Sequence, residues 1–425
     1  MTSECFVYIV LPGATEFVTA GRIRVSPSRD DAPVGEFVYG RSYLERSDAV
    51  ELDPVELKLA NTRYQTARMK GFFGAIRDAM PDDWGRRVIE RHVRTTNLDE
   101  FDYLLYGADD RAGALGFGRN DTPPAPRRNF NRALELAMLQ ETADAILSDE
   151  QPKIIDMPDT RQVEQLLLHG TSMGGARPKA VIEDDDALWI AKFTTAQDRW
   201  SHPRVEHAML QLAQQCGLNV ADSRLDTVAG KDVLLVRRFD RDKAEQGYRR
   251  HRMVSALTLL RTDADATARE NWSYLLLADE LRRISSNPQG DLRELFARMC
   301  FNALVSNTDD HPRNHAVIAK DRHWRLSPAY DLTPTPMIAK DVRTLALDCG
   351  TRGRIANREN LLSSCSRFML IQQEAAHLID EMVTVVRSQR DGILHRAGVS
   401  DRDISAIESA FLYDGFFYDQ SLLFK

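Results

Sequence analysis

The chain has little cysteine and no cysteine framework. Five cysteines (Cys5, Cys216, Cys300, Cys349 and Cys365) are scattered through 425 residues, odd in number and without a C-x-x-C pair. That pattern excludes a disulfide-stapled scaffold and a cysteine-based zinc site. It fits a reducing compartment, so a cytoplasmic location is expected. No apolar run reaches the length of a membrane span, and no basic stretch followed by an apolar one marks a signal peptide, so neither is expected. Charge of one sign is not in large excess: the formal net charge is -7, which gives no global signature of nucleic-acid binding. Internal repeats, low-complexity tracts and the histidine spacings of a metal site are also missing.

What is present is ordinary for a globular protein: 43% hydrophobic and 28% charged residues,. The length suffices to bury a large core without disulfides and suggests two to three domains or one lobed enzyme. Residues 4–44 carry three strand signals, at Cys5–Val10, Phe17–Val25 and Gly35–Leu44, and predict a small antiparallel unit. Pro81-Asp82-Asp83 opens a helix over Trp84–Arg94, with proline and acids in the first turn. Asp99–Tyr106 reads as another helix, and Arg111–Asn120 as a glycine-rich strand or turn. The stretch D-T-P-P-A-P-R-R (121–128) cannot sit inside a helix or a central strand, and closes a first region at 1–128.

Helices are predicted at Arg132–Leu147 and Thr160–His169. Next come strands at Ala180–Glu183 and Leu188–Thr194, a helix at Val205–Cys216, and strands at Val220–Val228 and Val233–Phe239. This order suits an antiparallel sheet with one packed helix, not a doubly wound parallel sheet, and defines a second region at 129–242. The third, 243–425, is mostly helical, with helices at Met253–Arg261, Glu270–Ser285, Leu292–Ser306, Leu361–Leu370, Ile371–Ala397 and Asp401–Phe411.

The chemistry concentrates at S-N-T-D-D-H-P-R-N (306–314) and S-P-A-Y-D (327–331). Asp309 and Asn314 have the Asp-to-Asn spacing of a protein-kinase catalytic loop. There the Asp accepts the hydroxyl proton and the Asn holds a metal ion. Asp331 can serve as a second metal-holding carboxylate, because phosphoryl transfer needs groups that position a nucleophile and neutralise phosphate charge. The stretch G-T-S-M-G-G-A-R-P-K (170–179) lies just before the sheet. Its glycines would let backbone N–H groups approach phosphate, although it is neither a Walker A loop nor G-x-G-x-x-G. Lys192 is a charge inside the apolar strand L-W-I-A-K-F. It is expected either to face phosphates, with Glu206 as a possible partner, or to face water. At L-L-V-R-R-F-D-R-D (234–242), backbone near Arg237, Arg238 and Phe239 could meet adenine and Asp240 a ribose; a surface salt bridge is the alternative for Asp240.

Taken together, T-S-M-G-G-A-R-P-K (171–179), I-A-K-F (190–193), R-R-F-D-R (237–241), N-T-D-D-H-P-R-N (307–314) and S-P-A-Y-D-L (327–332) resemble the HipA-type serine/threonine kinase toxins of bacterial type II toxin–antitoxin systems. F-F-G-A-I-R-D-A-M-P-D-D-W (72–84) and R-A-G-A-L-G-F (111–117) are similar to pieces of that family's N-terminal domain. The resemblance implies an α+β, two-lobed protein-kinase-like fold, with a small β-rich N-terminal subdomain and a mostly helical C-terminal lobe. It implies ATP and Mg²⁺ as cofactors, Asp309 as general base, and Asn314 and Asp331 as metal ligands. Gly174, Gly175, Ala176, Arg177, Pro178, Lys179, Lys192, Arg237, Arg238, Phe239, Asp240, His311, Asn314, Tyr330 and Asp331 would surround the nucleotide. Ser172, or the adjacent Thr171, would be autophosphorylated to inactivate the enzyme. The implied partners are a small helix-turn-helix antitoxin of the HipB type, operator DNA mainly through that antitoxin, and a protein substrate such as the glutamate-charging aminoacyl-tRNA synthetase. Arg237 departs from the pattern, standing where some members carry an acid. A small-molecule phosphotransferase, or a weakly active co-repressor, would be the alternatives.

Overall fold

The computed structural model describes residues 3–26, 33–126, 130–132, 135–148, 175, 177–184 and 187–418. The chain parts into two compact units. The first holds residues 1–196, 226–263 and 318–324; the second holds 197–225, 264–317 and 325–425. This division cuts the chain differently from the three consecutive regions expected. The two β-rich regions fall mostly in one unit, and the helix after Lys192 falls in the other.

The first unit contains two five-stranded sheets. One is antiparallel, in the order β4-β3-β2-β1-β5, from β1 (Ser3–Val10), β2 (Phe17–Ser26), β3 (Val34–Tyr39), β4 (Arg63–Thr66) and β5 (Leu115–Gly118). Strict alternation along β3 buries Phe37 and Tyr39 on one face, as the period of two requires. The predicted strand through Leu44 stops at Tyr39, and Arg41–Leu44 forms a helical turn instead. Three helices follow: α1 (Gly74–Asp78), α2 (Asp83–Val93) and α3 (Glu100–Tyr106). Asp82 caps α2, and Asp99 forms a capping box with Asp102, each satisfying otherwise orphaned N–H groups.

The second sheet has the order β6-β7-β8-β10-β9, from β6 (Asn131–Arg132), β7 (Lys179–Asp184), β8 (Ala187–Phe193), β9 (Ser223–Val228) and β10 (Lys231–Arg237). One face is sealed by α2 and by α4 (Leu136–Leu147). Trp84, Val88, Leu136 and Leu139 pack there on Ala180, Ile182, Phe193, Val233 and Leu235, all buried. Each large side chain buried there contributes about 1.5–3 kcal/mol. Trp84 also donates its indole N–H to the Lys179 carbonyl at 3.0 Å. On the opposite face, Val181 and Leu188 meet Tyr248 of the hairpin β11 (Arg241–Lys243) and β12 (Tyr248–Arg250). A helix was expected from Met253. The chain runs instead as β13 (Arg252–Ser255) into one turn at Ala256–Leu259. Asp78 sets that switch: its carboxylate accepts from Ser255 N and Oγ and from Thr258 Oγ1, at 2.6–2.7 Å.

The second unit is helical: α5 (His202–Gln215), α6 (Tyr274–Ile284), α7 (Pro288–Leu304), α8 (Arg358–Leu362), α9 (Gln372–Arg396) and α10 (Asp401–Ile407). Helix α7 is the axis. It starts on an Asn287 cap followed by Pro288, buries Leu292, Leu295, Phe296, Met299 and Phe301, and packs on α6 and α9. After it come two short strands, β14 (Ala316–Ala319) and β15 (Arg325–Leu326). No helix among the described residues is long and apolar enough to cross a membrane.

Candidate active site

Helix α7 ends at Val305, and Ser306 adopts a left-handed φ of 48° that turns the chain out of the helix. Arg343, buried, braces that turn by donating to Ser306 Oγ at 2.7 Å. Asn307 is locked back onto the helix, its backbone N–H on the Asn302 carbonyl and its amide on Asn302 Oδ1. The loop then alternates between solvent and interior. Asp309 is open to solvent and Asp310 is buried.

The inward group makes a hydrogen-bonded chain that sequence reading missed. Asp310 accepts the Tyr274 hydroxyl and pairs with His315 Nε2 at 2.9 Å, and Tyr274 accepts from Asn302 Nδ2 at 3.0 Å. Burial, and then the Asp310 charge, push the Tyr274 hydroxyl pKa well up, so it remains a donor,. The one available signal was spacing: Asn302–Asn307, Asp309–Asn314 and Asp310–His315 all lie five apart.

The outward group is the expected site. Asn314 Nδ2 donates to the Asp309 carbonyl at 3.3 Å, and Asn314 N to the His311 carbonyl at 2.8 Å. The segment carrying Asp331 is held by backbone pairing of Ala329 with Asn219 and Ala221. Arg298 adds a bond to the Ser327 carbonyl. Tyr330 donates its hydroxyl to the Arg313 carbonyl at 2.6 Å, tying this segment to the loop. Asp331 has φ 58°, a left-handed conformation that Asp tolerates better than most residues. Partial burial, then the charges of Asp331 and Asp310, push the Asp309 carboxyl pKa up, against Arg269. Asp309 and Asp331 therefore sense each other as neighbouring anions.

His311 is engaged by its own neighbours. Its Nδ1 accepts from Arg313 N at 3.0 Å, its Nε2 faces the Ala264 carbonyl at 3.4 Å, and its ring stands edge-on to Trp272 at 4.3 Å. Those partners require a neutral ring with the proton on Nε2, and burial lowers its pKa to about 4.

The nucleotide-side expectations belong to the first unit. Thr171, Ser172, Gly174 and Ala176 lie outside the described residues. Gly175 has φ 103° and its carbonyl accepts Lys179 Nζ at 3.1 Å, a conformation suited to glycine. Lys179 is buried, 4.0 Å from the Asp82 carboxylate. Lys192, half-buried, is the direct cross-strand partner of Lys179. Two lysines facing each other across a sheet repel, and an anion between them would relieve that. Arg177 is half-buried and Pro178 buried; Arg237 is exposed and Phe239 half-buried. Glu206, in α5, is buried, not a solvated helix-end acid.

Asp240 and Arg238 depart from expectation. Asp240 was to meet a ribose or form a surface salt bridge. It is buried, and both carboxylate oxygens are already used. Arg238 Nε donates to Oδ1 at 2.9 Å; Arg238 Nη2, Arg241 Nη1 and Gly113 N converge on Oδ2 at 2.8–2.9 Å. The other end of Arg238 binds Asp110, and its Nη2 and Arg241 Nη2 reach the Arg111 carbonyl. The motifs R-A-G-A-L-G-F and R-R-F-D-R therefore bind each other.

The Asp309–Asn314–Asp331 set fits Mg²⁺. It offers hard oxygen donors and an excess of negative charge. Among the described residues there is no cage of three or more His, Cys, Asp or Glu. Mg²⁺ is usually bound by one or two protein groups plus substrate phosphates, rather than by such a cage.

Comparison with known proteins bears on the whole chain. A family model described as the HipA-like C-terminal domain matches residues 171–390, and one described as the HipA N-terminal domain matches residues 18–118. The candidate kinase Y4mE of Sinorhizobium fredii is 24% identical over 341 residues, 76% of this chain and 77% of that protein. A candidate kinase of Haemophilus influenzae is 26% identical over 215 residues, 45% of this chain and 63% of that protein. A solved HipA of Shewanella oneidensis, in complex with HipB and operator DNA, superposes with a TM-score of 0.67 at 16% identity, over 95% of this chain and 94% of that one. The likeness shows the fold. It is α+β and kinase-like, as the resemblance implied.

Proposed function

The chain belongs to the HipA family, and from that premise we propose that it is an ATP-dependent serine/threonine protein kinase acting as the toxin of a toxin–antitoxin pair. The observation that carries this reading is the convergence of Asp309, Asn314 and Asp331 in one loop assembly, with Asp309 and Asp331 close enough to raise the Asp309 pKa. When bound, ATP supplies the phosphoryl group and Mg²⁺ neutralises its oxygens. The chain's own groups do the rest. Asp309 receives the proton of the acceptor hydroxyl. Asn314 and Asp331 hold the metal. Lys179 and Lys192 face the phosphates, and Tyr330 keeps the two catalytic segments in register.

Ser172 or Thr171 would carry a regulatory phosphate. Its charge of about -1.5 to -2 at neutral pH would occupy space meant for ATP phosphates. A small helix-turn-helix antitoxin is the partner; the HipA similar to this chain is bound to HipB and operator DNA. The acceptor is a translation protein of the aminoacyl-tRNA synthetase class.

Incubation with labelled ATP and Mg²⁺ is expected to label the chain at Ser172 or Thr171. Asp309→Gln is expected to abolish the label while leaving nucleotide binding intact. No label together with no nucleotide binding would sink the reading. Rapid labelling of a sugar or aminoglycoside, with no protein labelled, would move it to a small-molecule phosphotransferase.

A further inference from the structure

The candidate loop is rich in carboxylates, its one arginine, Arg313, is half-buried, and a transferring phosphoryl group calls for a cation that can face it. His311, two residues from Asp309, cannot be that cation: both ring nitrogens are engaged and the ring is neutral. A second arginine reaches this loop from a different segment. Arg269 lies in the 3₁₀ stretch Ala266–Asn271, exposed, with its guanidinium 5.4 Å from the centroid of the Trp272 ring. Trp272 is itself buried and stands edge-on to His311 at 4.3 Å. His311 N in turn donates to the Asp309 carbonyl at 2.8 Å. Guanidinium, indole and imidazole therefore form one stack that ends at the loop carrying Asp309.

We infer that Arg269 is a catalytic cation of this site, held by Trp272 so that its guanidinium meets the negative charge on the phosphoryl group in transfer. The inference rests on the phosphoryl-transfer reading above. In that reaction the acceptor hydroxyl gives its proton to Asp309 while its oxygen bonds the γ-phosphorus. The bond from that phosphorus to the bridging oxygen breaks, and the electron pair leaves with the nucleoside diphosphate. Charge on the equatorial oxygens needs donors fixed in advance. A planar guanidinium supplies them, and one face of it can rest on an aromatic ring.

The test compares the full-length wild type with Arg269→Ala and Arg269→Lys for kcat, KM for ATP and thermal stability, each with and without free guanidinium ion. Arg269→Ala is expected to lower kcat by about 10²–10³-fold, the scale of losing one transition-state donor. The KM for ATP and the melting temperature should stay near wild type. Free guanidinium should restore part of the Arg269→Ala activity and none to the wild type, a response that a structural role would not give. Arg269→Lys should fall between the two, because an ammonium lacks the planar face that rests on Trp272. An active wild type with an Arg269→Ala variant within threefold of its kcat overturns this inference alone. So does a loss of activity that tracks a loss of stability without guanidinium rescue. A wild type that transfers no phosphoryl group to any acceptor overturns the phosphoryl-transfer reading and this inference with it.

Discussion

Two charged motifs, both expected to serve the nucleotide site, differ in what their charges face. At Arg238–Arg241, carboxylates meet guanidinium groups in the interior. Arg238 and Arg241 converge on Asp240 from 2.8–2.9 Å, Asp110 caps the other side, and Arg111 is buried on the carbonyls of Ala79, Leu104 and Gly107. The guanidinium neighbours hold the Asp240 carboxyl well below the usual carboxylate range, overcoming the opposing cost of burial. At Asp309–Asn314 the exposed Asp309 has carboxylates for neighbours, and partial burial, then the charges of Asp331 and Asp310, move its pKa up. In the first cluster the Asp240 and Asp110 charges are already met by guanidinium groups. An uncompensated one still attracts a cation and a proton, which is the condition of a working site.

That contrast can be broken or sharpened by substitution. The largest effect on stability is expected at Asp240→Ala, which leaves Arg238 and Arg241 buried without their shared anion. Losing one partner of a buried ion pair costs on the order of 3–5 kcal/mol, readable by urea unfolding. Asp309→Asn should do the reverse. Stability should stay within about 0.5 kcal/mol, while phosphoryl transfer falls about 10²–10⁴-fold, the range of a lost general base. If Asp309→Asn were as destabilising as Asp240→Ala, the distinction between closed and open clusters would fail.

Tyr274→Phe tests the layer between these extremes. It removes the donor to Asp310 and the acceptor of Asn302, and should cost about 1–3 kcal/mol by thermal unfolding, with a drop in kcat larger than any change in KM for ATP.

The smallest effect is the pH dependence of His311. Its folded pKa is lowered to about 4 from an ordinary 6.5, so as pH falls the unfolded chain binds the proton first. The stability it contributes is complete above about pH 6.5 and is lost as pH falls through 4. His311→Asn should remove that slope, seen as convergence of the two unfolding curves at low pH in metal-free buffer.

Much of this was legible in sequence because it rests on local rules. Asp82, Asp99 and Asn287 announce helix starts, β3 shows its period of two, and the five-residue step from Asp309 to Asn314 marks a loop. What was missed depends on partners far along the chain. The turn at Ser255–Leu259 is fixed by Asp78, the burial of Asp240 by Asp110 and Gly113, and the place of Trp272 beside the catalytic loop by His311. A charge's neighbours decide whether it serves the fold or the site, and those neighbours are not adjacent in sequence. Asp310 shows this most sharply: it stands next to Asp309, yet only its contact with Tyr274 and His315 shows that it faces inward.

Trp84 carries a consequence for how such a chain can be taken apart. It comes from the segment before the proline-rich stretch at 121–128, yet it sits fully buried among Leu136, Phe193 and Leu235 and bonds the first residue of β7. The first 128 residues are therefore not an exchangeable module. A shuffled or truncated gene that dropped them would strip one wall from the sheet bearing Lys179 and Lys192. The product would present bare apolar surface, prone to aggregate before any lost activity could be measured.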